Sequence, residues 1–201
     1  MKTKINGGRY RNMIISSILL LIMAIAAPIG SSQLNSLSNT SFSIIIGIGL
    51  LLLVSILDIF LGITLRNIFV SVNQIYANIS MFIRVIYGVY LFILVMVLYV
   101  LPNDYNNKFT IFSNIWSYGL FVFGIHLLIL GFLIYKSKFL SKILGVLVVI
   151  SGFGYMFDTI IKLFVPGINF EFSIYTFIGE ALLIFWLPIH VITHKKKLPN
   201  N

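Results

Sequence analysis

The sequence predicts an all-α, polytopic bundle of six transmembrane helices with both termini in the cytoplasm. Three observations support this fold class. First, the 201 residues are 59% hydrophobic and only 9% charged, with a mean hydropathy of +1.04, whereas soluble domains carry about 25% charged residues. Second, the apolar residues form six long runs. Third, Lys and Arg concentrate in alternate connections between those runs. Lipid is therefore the expected surroundings for most of the chain.

Each apolar run has roughly the 20 residues that an α-helix needs to cross about 30 Å of hydrocarbon. Helices are expected because lipid offers no hydrogen-bond partner for unpaired backbone groups. The runs also lack the alternation typical of transmembrane β-strands. The predicted spans form a single integral-membrane domain of residues 1–201 and cover residues 13–29, 42–65, 81–101, 111–135, 139–164 and 172–193.

The first run has a second interpretation as a secretory signal peptide. Basic residues at positions 2, 4, 9 and 11 precede it, and Ala24 and Ala26 have the spacing of a cleavage site. Cleavage would leave five spans and place the new amino terminus outside. Because the charge alternation already accommodates this run as a span, we expect a retained membrane helix.

Basic residues predict the orientation of the bundle. The amino end, the connection that begins at Arg66, the 136–142 connection and residues 195–197 are basic, whereas residues 31–41 carry no charge. Connections on the cytoplasmic side carry an excess of Lys and Arg. Both termini and the second and fourth connections are therefore predicted to be cytoplasmic, in a multi-pass protein of the cell membrane.

Composition and motifs also indicate what the chain is not expected to do. The formal charge of +9 is scattered between apolar runs, which is typical of topology signals, so no nucleic-acid partner is expected. The absence of cysteine excludes disulfides and thiolate metal sites. Neither a His-Glu-x-x-His zinc motif nor a Gly-x-Ser-x-Gly nucleophile motif is present. The sequence predicts no catalytic, metal or cofactor site, and it leaves the substrate, the oligomeric state and any protein partner open.

Five ionisable residues nevertheless lie inside the apolar runs, where each costs about 2.5–3.5 kcal/mol at the bilayer centre. Residues of this kind usually face the interior of a helical bundle and have partners there. The candidate intramembrane polar cluster consists of Asp58, Arg84, His126, Asp158 and Glu180.

Asp58 and Arg84 have opposite charges and similar predicted depths in adjacent antiparallel helices. They are therefore predicted to pair, although Arg84 alone would also satisfy itself by extending to lipid headgroups. Asp158 precedes Lys162 by one helical turn, a spacing that favours a local ion pair.

Glu180 is the strongest functional candidate because no basic residue of its own helix can reach it. It is predicted to face the bundle interior and to lie near His126, which is close to the midplane. The pair would form either a static hydrogen bond or a shared-proton site. For His126 itself, hydrogen-bonded packing is the simpler role.

The carboxy-terminal half also carries a pattern of glycines, aromatic residues and the two ionisable residues His126 and Glu180. This pattern resembles the bacterial and archaeal multi-pass membrane family known as domain of unknown function 4386. The resemblance implies an integral membrane protein of about six helices and supplies no activity. The residues that carry it are His126, Gly131, Leu133, Tyr135, Ser137, Leu144, Gly145, Val146, Leu147, Gly152, Gly154, Tyr155, Gly179, Glu180 and Trp186.

The sequence therefore favours a non-enzymatic integral membrane protein of unassigned function. One alternative is a small proton-linked secondary transporter that uses His126 and Glu180, and another is an accessory subunit or membrane sensor. A cavity that reaches these two residues would favour transport, whereas a dry, fully paired cluster would favour helix packing.

Overall fold

The computed structural model describes residues 2–35, 41–100, 105–165 and 171–195. In the described part of the chain, six helical segments are long and apolar enough to cross a membrane, and α6 and α7 together form the sixth. The all-α, six-span fold class is thereby confirmed. The helices are α1 (Lys2–Asn35), α2 (Ser41–Phe69), α3 (Gln74–Val100), α4 (Tyr105–Lys136), α5 (Lys142–Phe164), α6 (Phe172–Thr176) and α7 (Ile178–Lys195).

The helices extend beyond the apolar runs that predict them. Helix α1 continues through Pro28 to Asn35, so residues 31–35 are helical although they were expected in an external loop. The Ser31 and Ser32 hydroxyls donate to the carbonyls of Pro28 and Ile29 inside this last part of α1. A helix satisfies its own backbone and need not end where the hydrocarbon ends. Residues 36–40, 101–104 and 196–201 of the predicted connections and carboxyl end lie outside the described residues.

Consecutive helices pack as neighbours, and α7 closes the bundle by packing on α1 and α5. The Ser17 hydroxyl of α1 donates to the Ile184 carbonyl of α7 at 2.6 Å, and Ser16 donates to Thr64 of α2 at 2.8 Å. Met13 is fully buried. Helix α1 is thus an integrated part of the bundle.

Helices α4 and α5 approach so closely that their backbones touch. A Cβ atom on Gly131 would lie 2.7 Å from the Gly145 carbonyl oxygen, and one on Gly152 would lie 2.8 Å from that of Gly124. Small residues allow this approach between membrane helices, where van der Waals packing drives association.

Four basic segments of the chain meet at one end of the bundle, which we call the basic end. Arg9 of α1 donates to Ser71 in the α2–α3 turn at 2.6 Å, and its guanidinium lies 4.6 Å from the centre of the Phe139 ring in the α4–α5 connection. The Phe139 ring lies 6.1 Å from that of His190 near the end of α7. The charge alternation requires this grouping of the amino end, the second and fourth connections and the end of the sixth span.

The predicted sixth span is present as Phe172–His194, and its helical hydrogen bonding is interrupted at Phe177, whose backbone stays in the right-handed helical region. The Glu180 amide donates to the Phe177 carbonyl at 3.0 Å, three residues back. The Thr176 carbonyl accepts the Ser151 hydroxyl of α5. A neighbouring side chain thus supplies a partner at the interruption, as lipid-embedded backbone requires. The result places Glu180 in the first turn of α7.

Candidate functional site

Arg84 lies at the centre of the polar cluster. Its Nη2 is 2.7 Å from Asp58 Oδ1, and both side chains are about 2% exposed. The predicted pairing of these two residues is thereby confirmed, and Arg84 does not extend to the lipid surface. The guanidinium also lies 5.1 Å from the centre of the Phe123 ring, within cation–π range. Arg84 Nε has no hydrogen-bond partner among the described residues.

His126 holds Arg84 from the opposite side to Asp58. Its Nε2 is 3.0 Å from Arg84 Nη1, and its Nδ1 is 2.9 Å from the Ser80 carbonyl oxygen. Because the guanidinium can only donate, Nε2 must accept and the proton of a neutral imidazole sits on Nδ1. His126 is fully buried. Its geometry is that of a packing residue that orients Arg84.

Glu180 faces the bundle interior as predicted, and its side chain is 6% exposed. The polar side chains that lie close enough to interact with it are Tyr155 of α5, Arg84 and Asp58. Glu180 Oε1 has no partner among the described residues. One carboxylate oxygen is thus left available in the interior.

The predicted proximity of Glu180 to His126 does not extend to a direct contact. His126 contacts Ser80 and Arg84, whereas Glu180 contacts Tyr155. The Phe123 ring packs against both His126 and Tyr155, at 6.0 and 5.3 Å. The expectation of a hydrogen bond or a shared proton between the two is therefore wrong. The helical period and the depth along each helix predicted which residues face inward. They did not predict how each helix is rotated, and therefore not which inward-facing side chains meet.

Asp158 and Lys162 do not form the expected local ion pair, and each has other partners. The two Asp158 carboxylate oxygens accept the amides of Phe172 and Ser173 at 2.6 and 2.8 Å. Lys162 donates to the Ser117 hydroxyl of α4 at 2.7 Å. The unsatisfied amides and partial positive charge at the start of α6 attract Asp158 more specifically than a flexible lysine does. Asp158 is therefore a cap for α6, outside the central cluster.

A cavity of about 820 Å³ connects the cluster to one end of the bundle. At its mouth lie Ser32, Lys162 and Glu171, all exposed. At its base lie Asp58, Arg84 and Glu180. The volume is within the range of roughly 300–1,000 Å³ found for small-molecule sites. His126 does not line the cavity. Of His126 and Glu180, the two residues whose contact with a cavity would favour transport, the cavity therefore reaches Glu180 alone.

Aromatic side chains line part of the cavity wall, together with aliphatic and small residues. The Trp116 indole donates to the Tyr87 hydroxyl at 3.0 Å, which fixes both rings. The aromatic residues of the lining come from α3, α4, α5 and the interruption at Phe177, and nothing in the sequence indicates that they lie together. The aromatic lining consists of Tyr87, Phe112, Trp116, Phe123, Tyr155 and Phe177.

The comparisons with known proteins agree with this architecture and assign no activity to it. A curated relative, an "Uncharacterized protein" of Archaeoglobus fulgidus, is 36% identical over 154 residues, which is 77% of this chain and 86% of the relative. No solved structure matches the chain significantly. The family model described as "Domain of unknown function (DUF4386)" matches residues 12–189. The resemblance predicted from the carboxy-terminal pattern is confirmed: the chain belongs to the DUF4386 family.

Proposed function

We propose that the protein is a small secondary transporter that binds its substrate in the cavity above Asp58, Arg84 and Glu180. The observation that carries this proposal is the cavity itself, which runs from an exposed mouth to a carboxylate with one oxygen that has no partner in the described part of the chain. A cluster that served packing alone would be dry and fully paired.

The interruption of the sixth span supports the same function. Broken helices in transporters lie at the substrate site, where irregular backbone lines a cavity. Phe177, at the interruption, lines this cavity, and Glu180 follows it in the first turn of α7. The N-terminal end of a helix also favours a nearby carboxylate.

The proposed transport is non-enzymatic and is linked to protons. The polar groups at the base are an ion pair and a carboxylate, which can bind a charged group and exchange it for a proton without breaking a covalent bond. We place the protein in the cell membrane with the basic end facing the cytoplasm, because basic connections are retained on that side. The mouth would then face outward.

A sensor or accessory subunit is the second candidate, and one observation favours it. His126, which Ser80 contacts, binds Arg84 at the cavity base, and Arg9, Phe139 and His190 pack together at the basic end. A cavity that opened only at the mouth would bind a ligand without moving it.

Cysteine accessibility distinguishes the two candidates because the native chain contains no cysteine. Val54→Cys would place a thiol on the cavity wall one turn before Asp58. Cationic and anionic membrane-impermeant methanethiosulfonates are applied from either side of oriented vesicles. A transporter is expected to react from both sides, faster from the mouth side.

The matched control is Ile56→Cys, on the same helix but 43% exposed on the lipid-facing surface. It is expected to react from neither side, because these reagents require a hydrated thiol. Reaction of Val54→Cys from the mouth side alone would support the sensor instead. Protection of Val54→Cys from both sides would refute a hydrated binding cavity altogether.

A further inference from the structure

We propose, resting on the function proposed above, that the ligand is a monovalent organic cation: an amine or quaternary ammonium group on an apolar body. Its charge would be received by Glu180 and its body by the aromatic wall. Three properties of the cavity lead to this ligand class: the balance of charges at its base, the unpartnered carboxylate oxygen and the aromatic lining.

The charge balance at the base leaves one acid uncompensated. Two carboxylates, Asp58 and Glu180, face one guanidinium, that of Arg84. Arg84 is bound to Asp58 at 2.7 Å and is held by His126 on its other side. Because Asp58 already neutralises Arg84, Glu180 in its ionised form carries the excess negative charge. An uncompensated buried charge is costly, so a cation in the cavity would stabilise it.

The geometry of Glu180 matches this role. Glu180 is only 6% exposed, it lines the cavity, and its Oε1 has no partner among the residues that the structure describes. The groups that face it are Tyr155 from α5, Tyr87 and Arg84 from α3, and Asp58 from α2. Tyr155 and Tyr87 contribute neutral hydroxyl groups, and Arg84 and Asp58 are already paired with each other. The place that remains for a cation is therefore beside Oε1 of Glu180.

The wall of the cavity suits a cation with an apolar body. Tyr87, Trp116, Phe123 and Tyr155 line the same cavity as Glu180, and aromatic rings attract cations, tryptophan most strongly. Leu20, Met23 and Val54 add aliphatic surface. At the mouth, Lys162 and Glu171 offset each other in charge, so the deep carboxylate determines the sign of the ligand.

The same arrangement would exchange the cation for a proton. With Glu180 protonated, the base contains only the neutral Asp58–Arg84 pair. With Glu180 ionised and a monovalent cation bound, the base is again neutral. Proton and ligand therefore substitute for each other one for one, and lowering the pH is expected to weaken cation binding.

Binding can be measured at the cavity because Trp116 lies in its wall and Trp186 is the second of the two tryptophans in the chain. In a Trp186→Phe background, Trp116 fluorescence reports occupancy. The probe is benzyltrimethylammonium, with its neutral carbon isostere 2,2-dimethylpropylbenzene and the anion phenylmethanesulfonate as comparisons. We expect a saturable change with the cation, and at least tenfold weaker binding of the other two.

Glu180→Gln keeps the shape and a hydrogen bond but not the charge, and it is expected to weaken cation binding at least tenfold and to abolish its pH dependence. Glu180→Asp, which keeps the charge, should retain binding within a few fold, and it guards against loss by misfolding. Glu171→Gln, at the mouth, is the matched control and should change binding less than threefold.

Each result bears on the ligand class separately from the proposed function. Equal binding of the neutral or anionic probe, or unchanged binding by Glu180→Gln, would refute a cation ligand while a binding cavity remained. A lack of saturable change with all three probes would also refute it, and Val54→Cys accessibility would still decide whether the cavity is used.

Discussion

Arg84 shows how one charged residue is kept at low exposure inside the bundle. Its guanidinium contacts the Asp58 carboxylate, the His126 imidazole and the face of Phe123. A buried charge is tolerated when it is paired and hydrogen-bonded, and it becomes expensive when a partner is removed. The cluster is therefore expected to be sensitive to single substitutions and less sensitive to paired ones.

The first prediction concerns the Asp58–Arg84 pair. Asp58→Leu or Arg84→Met alone is expected to lower the free energy of unfolding by about 3–5 kcal/mol, because each leaves a buried charge unpaired. The double variant should lose less than either single variant. The measurement is a double-mutant cycle by denaturant titration in mixed micelles.

A control for this cycle is Arg66→Gln, at the partly exposed end of α2. Arg66 donates to Asn78 at 2.7 Å but has access to the surface, so its loss should cost about 1 kcal/mol or less. Additive losses for Asp58 and Arg84 would show that the ion pair does not couple the two helices.

A second prediction concerns Asp158. Asp158→Ala removes the acceptor of the Phe172 and Ser173 amides and is expected to destabilise the protein by about 1–2 kcal/mol, as loss of a helix cap does. Amide hydrogen exchange at residues 172–176 should accelerate. Lys162→Gln should leave that exchange unchanged, and a comparable acceleration would mean that a local ion pair with Lys162 supports Asp158.

The sequence predicted part of this site, and the geometry explains which part. The pairing of Asp58 with Arg84 could be predicted because the two residues have equal depth and opposite charge in consecutive helices. The contact of Glu180 with Tyr155 could not be predicted. The position of a residue in the sequence gives its depth along a helix, but not how the helix is rotated or which helix lies next to it. Trp116 and Phe123 were missed as cavity residues for the same reason, since aromatic residues in an apolar run carry no distinguishing signal.

At the scale of helices, the interruption at Phe177 was the feature least visible in the sequence. Gly179 lies two residues after Phe177, but a single glycine inside an apolar run is only a weak signal for a break. The break depends on tertiary contacts: Ser151 binds the Thr176 carbonyl and Asp158 caps α6. Local propensity cannot reveal an interruption that another helix stabilises.

A third prediction tests the contact between α4 and α5. In Gly145→Ala the new Cβ would lie 2.7 Å from the Tyr135 amide nitrogen and 2.8 Å from the Gly131 carbonyl oxygen. Backbone cannot yield as a side chain does, so we expect destabilisation of about 1–3 kcal/mol. Thermal unfolding in nanodiscs measures it.

The matched control is Gly49→Ala in α2, where no atom would lie within 4 Å of the new Cβ. It should be neutral or slightly stabilising, because alanine has the higher helix propensity. If Gly145→Ala were equally harmless, the close approach of α4 and α5 would not contribute to stability.

For the whole molecule, the fold class followed from composition because the surroundings impose it. A chain of this apolar content must satisfy its backbone internally, and helices of membrane-spanning length are the direct solution. The sequence also predicted which segments share an end, since Arg9, Ser71, Phe139 and His190 meet there. Exact helix ends were less predictable because hydropathy marks the hydrocarbon boundary rather than the end of a helix.

The fourth prediction is the orientation of the bundle. Reporter fusions after residues 36 and 139 are expected to give opposite readouts, external and cytoplasmic respectively, because the second position lies in the lysine-rich connection. Replacing Lys136, Lys138 and Lys142 with glutamine should weaken the bias. Identical readouts at the two positions would contradict the six-span arrangement.

The glycine contacts between α4 and α5 also have a mechanical consequence. Two helices whose backbones touch at Gly124–Gly152 and Gly131–Gly145 have no layer of side chains between them at these points, so we expect them to move together. His126 belongs to this pair of helices, whereas Ser80 and Arg84 belong to α3. If the proposed transporter moves this pair of helices against α3, the motion would have to break the hydrogen bonds of His126 together with the Trp116–Tyr87 and Tyr90–Ile115 hydrogen bonds, which also join α4 to α3.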